Sequence, residues 1–176
     1  DTFTTEAHHF NHSEVFVCKE KIEASHLNQI AKELSKNHEV LRTICKGKEL
    51  QILKEVPKGI SKVVENLNWQ QYEQQLKQEQ QSFDLQNGPL WKIILFRLDA
   101  GDRLLFCFHH LVIDGVSWRI ILDDFLQLMQ NLKNNVKADL FETSGFHQWT
   151  DKVHQFSQSR ELQNEIVYWN QLAKPS

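Results

Sequence analysis

Residues 104–119 read Leu104-Leu105-Phe106-Cys107-Phe108-His109-His110-Leu111-Val112-Ile113-Asp114-Gly115-Val116-Ser117-Trp118-Arg119. The first half is nearly continuous in apolar and aromatic residues, which predicts a buried β-strand that ends at the two histidines. Beyond Asp114 and Gly115 the apolar residues recur at helical spacing, so we expect a helix there with Ser117 as its N-cap. The stretch therefore predicts a strand, a loop that carries histidines and a carboxylate, and a helix.

A second apolar run precedes this stretch. Residues 90–98 are almost all apolar, and Ala100-Gly101-Asp102 provides turn residues between that run and residues 103–109. Two nearly continuous apolar strands joined by a short turn indicate a β-hairpin that is covered on both faces. We therefore expect this hairpin to lie at the centre of a sheet.

The rest of the chain alternates between strand and helix patterns. Ser25 and Asn68 are placed to begin helices, and the glutamine-rich run at 70–81 should be a solvated helix face. Residues 134–143 are expected to form a loop. Further strands are expected at 12–22, 40–45 and 50–56, and helices at 25–38, 68–81, 116–132, 146–156 and 161–172. This order predicts an α/β lobe in which helices cover a mixed β-sheet.

Composition narrows the class of protein. A chain of 176 residues with 40% hydrophobic residues suits one domain, or one lobe of a larger domain. The formal net charge of -3 gives no reason to expect a nucleic-acid partner. No apolar stretch approaches the roughly 20 residues that span a bilayer, and no signal-peptide pattern opens the chain. We therefore expect a cytoplasmic protein without a membrane partner.

The cysteines and the chain ends add two expectations. Cys18, Cys45 and Cys107 are far apart and lack C-x-x-C spacing, so neither a disulfide framework nor a zinc site is indicated. Residues 1–5 offer no start signal, and residues 173–176 follow directly on an amphipathic helix pattern. The chain is expected to be a piece of something longer.

The two histidines are candidates for proton transfer. A free imidazole has a pKa of about 6.5, which suits a general base at neutral pH. Gly115 would let the backbone turn or approach a ligand closely, and the carboxylate of Asp114 could lock the loop by pairing with a cation. From these residues alone, a structural histidine at a strand end and a functional one are equally open.

Several stretches together resemble one family. The pattern H-H-x-x-x-D-G at 109–115 resembles the motif of the condensation-domain superfamily of nonribosomal peptide synthetases, whose fold is similar to chloramphenicol acetyltransferase. Matching blocks, in chain order, are His8-His9-Phe10-Asn11, His38-Glu39-Val40-Leu41-Arg42, Phe83-Asp84-Leu85-Gln86-Asn87-Gly88-Pro89-Leu90, Phe146-His147-Gln148-Trp149 and Tyr168-Trp169. The resemblance implies that residues 1–176 are the N-terminal lobe of such a domain, with the C-terminal lobe absent.

The resemblance also implies roles for individual residues. His110 resembles the catalytic histidine that acts as a base or positions an acceptor amine, and His109 is expected to be structural. Asp114 resembles a structural acid that pairs with an arginine, for which Arg42 is the candidate. Gly115 matches a glycine beside the substrate channel. The neighbouring Ser117 and Trp118 are further substrate-channel candidates.

The residues around the motif resemble one branch of the superfamily. Asp114-Gly115-Val116-Ser117-Trp118-Arg119, an aliphatic pair and the acidic pair Asp123-Asp124 are similar to epimerization domains, as is the opening His8-His9-Phe10-Asn11-His12-Ser13. The implied reaction is epimerization at the α-carbon of an aminoacyl or peptidyl thioester. A peptidyl carrier protein would present this substrate on its 4'-phosphopantetheine arm, and no cofactor would bind the lobe directly. An opposing glutamate would come from the second lobe, so the isolated lobe should be inactive.

Other functions stay open beside this one. The alternatives are a condensation domain that forms peptide bonds, and a non-catalytic lobe that docks carrier proteins. A metal site at His109, His110 and Asp114 is not expected, because adjacent histidines on an extended strand point to opposite faces. Serine triads through Ser13 or Ser117 lack nucleophile-elbow glycines.

The remaining candidate residues are expected to have structural rather than catalytic roles. Cys107 on an apolar strand is better explained as a small core residue than as a nucleophile. The opening histidines are expected to line a surface or cleft, and the tryptophans are expected to anchor helix packing. These are His8, His9 and His12, and Trp118, Trp149 and Trp169.

Overall fold

The computed structural model describes residues 7–137, 139–141 and 143–173. The chain consists of two compact units, residues 1–142 and 143–176. The elements of the first unit are β1 (Asn11–Val17), α1 (Ala24–Asn37), β2 (Thr43–Lys46), β3 (Glu49–Ile52), β4 (Ser61–Leu67), α2 (Trp69–Gln80), β5 (Trp91–Leu98), β6 (Arg103–His109) and α3 (Gly115–Lys133). The second unit contains α4 (Phe146–Ser157) and α5 (Arg160–Leu172).

The sheet of the first unit is mixed, as predicted. Its four strands lie in the order β1-β6-β5-β4, and β2 and β3 form a separate antiparallel pair. β6 is antiparallel to both of its neighbours, whereas β4 is parallel to β5. The predicted hairpin therefore occupies the two inner positions, which explains why its residues are nearly all apolar.

The central strands divide their side chains between two hydrophobic layers. On one face, residues of β5 and β6 pack with α1 and α3, as in the cluster that includes Leu34, Phe106 and Phe125. On the other face, Tyr72 of α2 and Phe83 pack with alternate residues of the same two strands. Because successive strand residues point to opposite sides, each layer receives every second side chain. The sheet is therefore covered on both faces.

Two of the three predicted N-cap residues are wrong. Ser25 does not cap α1, which begins at Ala24 with Glu23 at the N-cap position. Ser117 lies inside the first turn of α3, where the cap is Asp114. The start of α2 is confirmed: the Asn68 side chain accepts a 2.9 Å hydrogen bond from the Gln71 amide, and the Gln71 side chain accepts one from the Asn68 amide.

The strand predictions differ from the structure mainly at their ends. The strand expected at 12–22 ends at Val17, and the one expected at 40–45 is preceded by a 3₁₀ turn at Glu39–Arg42.

The sequence pattern does not predict β4. This strand lies at the sheet edge, and its pairing with β5 shifts register between Val64 and Leu67, where Asn66 takes a φ of 57°. Such a bulge interrupts the alternation by which strands are recognised.

The second unit confirms the two predicted helices. Ser159 caps α5 by accepting a hydrogen bond from the Leu162 amide. Trp149 and Trp169 were expected to anchor helix packing, but their exposures are 59% and 57%, so they are not buried among the described residues. The predicted loop at 134–143 includes two residues outside the described part, and its described residues form neither helix nor strand. Lys174, Pro175 and Ser176 also lie outside that part.

Candidate active site

His109 is the last residue of β6 and points into the layer covered by α2. It is 3% exposed, and its Nδ1 accepts a 3.2 Å hydrogen bond from the Leu111 amide. The ring also meets Phe83 edge-on at a centroid distance of 6.5 Å. A buried imidazole held in this way fits the structural role predicted for it, which stays a prediction.

His110 follows where the strand ends, and its ring lies against β1. Its amide donates a 2.7 Å hydrogen bond to the Phe10 carbonyl. The imidazole stacks on the Phe10 ring at 4.8 Å and meets His12 edge-on at a centroid distance of 4.0 Å. The side chain is only half-buried. His110 thus combines a constrained orientation with access from solvent.

His12 connects His110 to the first turn of α3. Its Nδ1 accepts a 3.4 Å hydrogen bond from the indole N–H of Trp118, whose ring packs edge-on against Phe108 at 5.0 Å. An indole nitrogen only donates, so Nδ1 of His12 must be unprotonated in this contact. His12 therefore belongs to the site, whereas the sequence indicated only a surface or cleft position. Trp118 has the packing role that was expected.

Asp114 caps α3 and lies exposed at the end of the histidine loop. One carboxylate oxygen accepts hydrogen bonds of 2.7 Å from the Ser117 amide and 3.1 Å from the Val116 amide. The Ser117 amide, the Ser117 hydroxyl and the nearby His110 lower the pKa of the Asp114 carboxyl, with the Ser117 amide first in effect. The carboxylate is therefore ionised at neutral pH and holds the helix N-terminus, where negative charge is favoured.

The prediction that Arg42 forms an ion pair with Asp114 is wrong. Both residues lie in the described part of the chain, and each has other partners. The Arg42 guanidinium donates to three backbone carbonyls, those of Ser35, Lys36 and Leu53, at 2.5, 3.0 and 2.9 Å. These bonds tie the end of α1 to the segment after β3. The Asp114 carboxylate instead accepts hydrogen bonds from backbone amides at the start of α3. Each of the two charged groups is therefore hydrogen-bonded without the other.

Gly115 is the first residue of α3, and its backbone does not lie in the left-handed region. The turn therefore does not require a glycine. A Cβ built at this position would meet no heavy atom within 4 Å. Of the two roles predicted for Gly115, open space for a close ligand is the one that this geometry accommodates.

A buried ionic cluster lies on the α2 side of the sheet, and the sequence did not predict it. The Glu79 carboxylate accepts hydrogen bonds from the ammonium groups of Lys92 at 3.0 Å and Lys62 at 2.7 Å. Burial raises the pKa of the Glu79 carboxyl, but the two lysine hydrogen bonds outweigh it and the net shift is downward. The Lys92 ammonium also lies 5.1 Å from the centre of the Phe83 ring, which contacts His109. The one sign of this cluster in the sequence is Lys92, a charged residue within an apolar strand.

Cys107 confirms the prediction of a core residue. It is fully buried beside this cluster, and all three cysteines are free. Burial is the main cause that raises the pKa of its thiol to about 11, so little thiolate exists at neutral pH. Within the described ranges, no group of three or more His, Cys, Asp or Glu side chains is placed to hold a metal ion.

A second pairing that the sequence did not reveal joins α1 to α3. Nε2 of His38, at the end of α1, lies 2.6 Å from a carboxylate oxygen of Asp124.

No helix in the described part of the chain is long and apolar enough to cross a membrane.

The family model described as the condensation domain matches residues 1–176. The chain belongs to the condensation-domain family. This membership accounts for the mixed sheet, its covering helices and the histidine loop at the end of a central strand, which is the chloramphenicol acetyltransferase-like fold.

Curated relatives of this condensation-family chain are peptide synthetases. Surfactin synthase subunit 2 of Bacillus subtilis (strain 168) is 35% identical over 96% of the chain, and bacitracin synthase 3 of Bacillus licheniformis is 31% identical over 94%. The chain spans only 5% and 3% of the lengths of these two proteins. The family is therefore that of nonribosomal peptide synthetases, in which this chain matches one small part.

Solved structures with the same fold include both branches of the family. The epimerization domain from the third module of tyrocidine synthetase B has a TM-score of 0.85 at 27% identity, covering 98% of this chain and 42% of that one. The starter condensation domain of rhizomide synthetase has a TM-score of 0.77 at 18% identity, covering 96% and 43%. The second likeness concerns the fold alone.

The condensation-family site contains most, but not all, of the residues predicted from sequence. His110, Asp114, Gly115, Ser117 and Trp118 share one loop and helix start. Arg42 is engaged elsewhere, and His109 faces the opposite layer of the sheet. Phe10 and His12 join the site because β1 pairs with β6 in the register His12 to Phe108. The predicted catalytic and substrate-channel roles stay predictions.

Proposed function

We propose that the chain is the N-terminal lobe of an epimerization domain and that His110 moves the α-proton of the substrate. The substrate is an aminoacyl or peptidyl thioester on the phosphopantetheine arm of a peptidyl carrier protein. The thioester makes the α-proton acidic enough for a side-chain base, and a well-placed base contributes on the order of 10² to 10⁴ in rate.

The placement of His110 carries this proposal. A half-buried imidazole at the end of a rigid central strand can reach a ligand while its own direction is fixed by Phe10 and His12. A general base needs such a combination of access and fixed geometry. His109, although adjacent, is buried on the other side of the sheet and cannot share the task.

The surrounding residues prepare space and backbone for the substrate. Asp114 holds the first turn of α3 by accepting the Ser117 and Val116 amides, so the loop that follows His110 ends at a fixed point. Gly115 leaves room within 4 Å of its backbone. We propose that the carrier-bound thioester passes over this glycine toward His110.

Epimerization is favoured over condensation by two observations. The higher TM-score and identity belong to the epimerization domain, at 0.85 and 27%, against 0.77 and 18% for the starter condensation domain. The residues at 114–119 also resemble the epimerization branch, and Trp118 among them contacts His12.

The reaction needs a second group on the opposite face of the α-carbon. When His110 takes the α-proton it becomes an imidazolium, and an acid on the other face must supply a proton to the carbanion. Exchange with water then restores both groups. We propose that this acid belongs to a C-terminal lobe outside residues 1–176, so that the isolated chain is inactive.

The test uses the complete protein and a carrier protein loaded with an L-aminoacyl thioester. After incubation the thioester is hydrolysed and its amino acid is resolved on a chiral column. A mixture of D and L forms that disappears in the His110→Ala variant supports the proposal. A new peptide bond to a second loaded carrier identifies condensation instead. Output that His110→Ala leaves unchanged indicates a docking lobe and overturns the proposal.

A further inference from the structure

We propose that His12 is a positioning residue for His110 and that Trp118 holds His12 in one neutral tautomer. This inference rests on the proposed role of His110 as the base. It concerns a residue for which the sequence indicated only a place in a surface or cleft. Three contacts that converge on two imidazoles carry it.

The first contact defines the protonation of His12. Its Nδ1 accepts from the Trp118 indole N–H at 3.4 Å, so in the neutral ring the proton resides on Nε2. Protonation of Nδ1 would place two donors face to face and break this bond. In the neutral ring this contact therefore selects the tautomer with the proton on Nε2, and the position of Trp118 is itself fixed by packing on Phe108.

The other two contacts fix His110 from two directions. Phe10 stacks on the His110 ring at 4.8 Å and 18°, and His12 meets it edge-on at 4.0 Å and 65°. His12 lies on the strand that pairs with β6, and Phe10 comes directly before that strand. The flat face of His110 is thus covered by a phenyl ring, and its rotation is limited by an imidazole.

The neutral state of His12 matters for a base that gains a proton. A cationic His12 this close would disfavour the imidazolium that His110 becomes when it takes the α-proton. A neutral His12 carries no such penalty and still restrains the ring. The arrangement therefore supports proton uptake by His110 without placing a second positive charge beside its ring.

The kinetic test is a double-mutant cycle in the complete protein. His12→Phe keeps a ring but removes Nδ1, and Trp118→Phe keeps the packing but removes the N–H donor. We expect each single variant to lower kcat roughly tenfold with KM nearly unchanged, the loss expected for one hydrogen bond that matters in the transition state. The double variant should be no slower than His12→Phe, because both changes remove the same contact.

Matched controls and a rescue accompany the cycle. His26→Phe and Trp69→Phe make the same changes at sites on α1 and α2, and both should leave turnover unchanged. His12→Asn places an amide oxygen where it can accept from Trp118, so it should recover part of the activity lost in His12→Phe. A merely space-filling role would give the opposite ranking, since phenylalanine fills the volume better.

A spectroscopic measurement reads the tautomer without turnover. In the complete domain, the unit in which the tyrocidine synthetase B epimerization domain was crystallised, ¹⁵N-labelled histidines report which ring nitrogen carries the proton. We expect Nε2–H alone for His12 in the native protein and a mixture of tautomers in Trp118→Phe. A native His12 with its proton on Nδ1 would overturn the inference.

The outcomes separate this inference from the proposed function. If His110→Ala retains full turnover, the proposed function fails, whatever His12 does. If His110→Ala is inactive while His12→Phe and Trp118→Phe match the native protein in kcat, only the role of His12 fails. Additive losses in the double variant, or losses confined to KM, also contradict it.

Discussion

The carboxylate of Asp114 accepts a 2.7 Å hydrogen bond from the backbone amide of Ser117. This contact sets the first turn of α3 shortly after His110. The acid of the H-H-x-x-x-D-G pattern is therefore a helix cap, and the position of the histidine loop depends on backbone amides of α3 rather than on a distant arginine.

Removal of the cap should weaken the first unit. We expect Asp114→Ala to lower the free energy of unfolding by about 1 kcal/mol, the usual cost of losing an N-cap acceptor. Asp114→Asn should cost less, because an amide oxygen also accepts from the helix amides. Urea denaturation of the complete protein, followed by a probe in this unit, measures both. Equal losses in the two variants would contradict the capping role.

The same residue predicts a pH dependence. The folded protein lowers the pKa of Asp114 below its ordinary 3.8. The ionised carboxylate therefore stabilises the fold above about pH 4, and this contribution is lost as the pH falls through the lowered pKa. The stability difference between the native protein and Asp114→Asn should be constant near neutral pH and should shrink in acid. A difference that grows in acid would show that the shift has the wrong sign.

Arg42 and Asp114 should be energetically independent. Arg42→Lys loses hydrogen bonds to carbonyls at the end of α1, since a lysine cannot reproduce the planar fork of donors. We expect this variant to be destabilised, and the combination with Asp114→Asn to be additive within about 0.5 kcal/mol. Coupling well above that value in a double-mutant cycle would contradict this independence and would show that the two side chains interact.

The buried pair of Glu79 and Lys92 should be costly to break. Glu79→Gln leaves the Lys92 ammonium buried without its anion, and removal of one partner of such a pair typically costs about 3 to 5 kcal/mol. Lys62→Met is the matched control, because the Lys62 side chain is 49% exposed and a surface ion pair contributes about 0 to 1 kcal/mol. Comparable denaturation midpoints for the two variants would refute the distinction.

Gly115 separates stability from function. Because a Cβ would meet no heavy atom within 4 Å, Gly115→Ala should preserve the fold or stabilise α3 by up to about 1 kcal/mol. If the thioester passes over this residue, turnover should nevertheless fall and KM should rise. Thermal unfolding and steady-state kinetics on the same preparation check both halves. A variant that is stabilised and fully active would contradict the proposal that substrate passes through this space.

Local patterns predicted the centre of this fold well. The apolar runs at β5 and β6, the Asn68 cap and the helical spacing after Gly115 are properties of neighbouring residues, so the local sequence predicts each of them. The local sequence does not predict β4, because Asn66 interrupts the alternation of this strand at the edge of the sheet. The local sequence does not separate Asp114 from Ser117 as the cap of α3, because both are good capping residues close to the first apolar positions of the helix, and only backbone geometry decides between them.

Long-range partners could not be derived in this way. The ion pair expected between Arg42 and Asp114 is absent from the described residues, while His12 reaches Trp118 across 106 positions of sequence. That contact follows from the register of β1 against β6, which no local pattern specifies. Lys92 was visible as a charge in an apolar strand, but its partner Glu79 lies on α2 within a glutamine-rich run.

The most direct measurement of the central claim is exchange of the substrate α-proton in D₂O. The complete protein is mixed with a carrier protein bearing an L-aminoacyl thioester, and deuterium at the α-carbon is followed by mass spectrometry. The native protein and the exposed-histidine control His9→Gln should incorporate deuterium equally. His110→Gln should be slower by about 10² to 10⁴. Incorporation by His110→Gln at the native rate would contradict the assignment of His110 as the base.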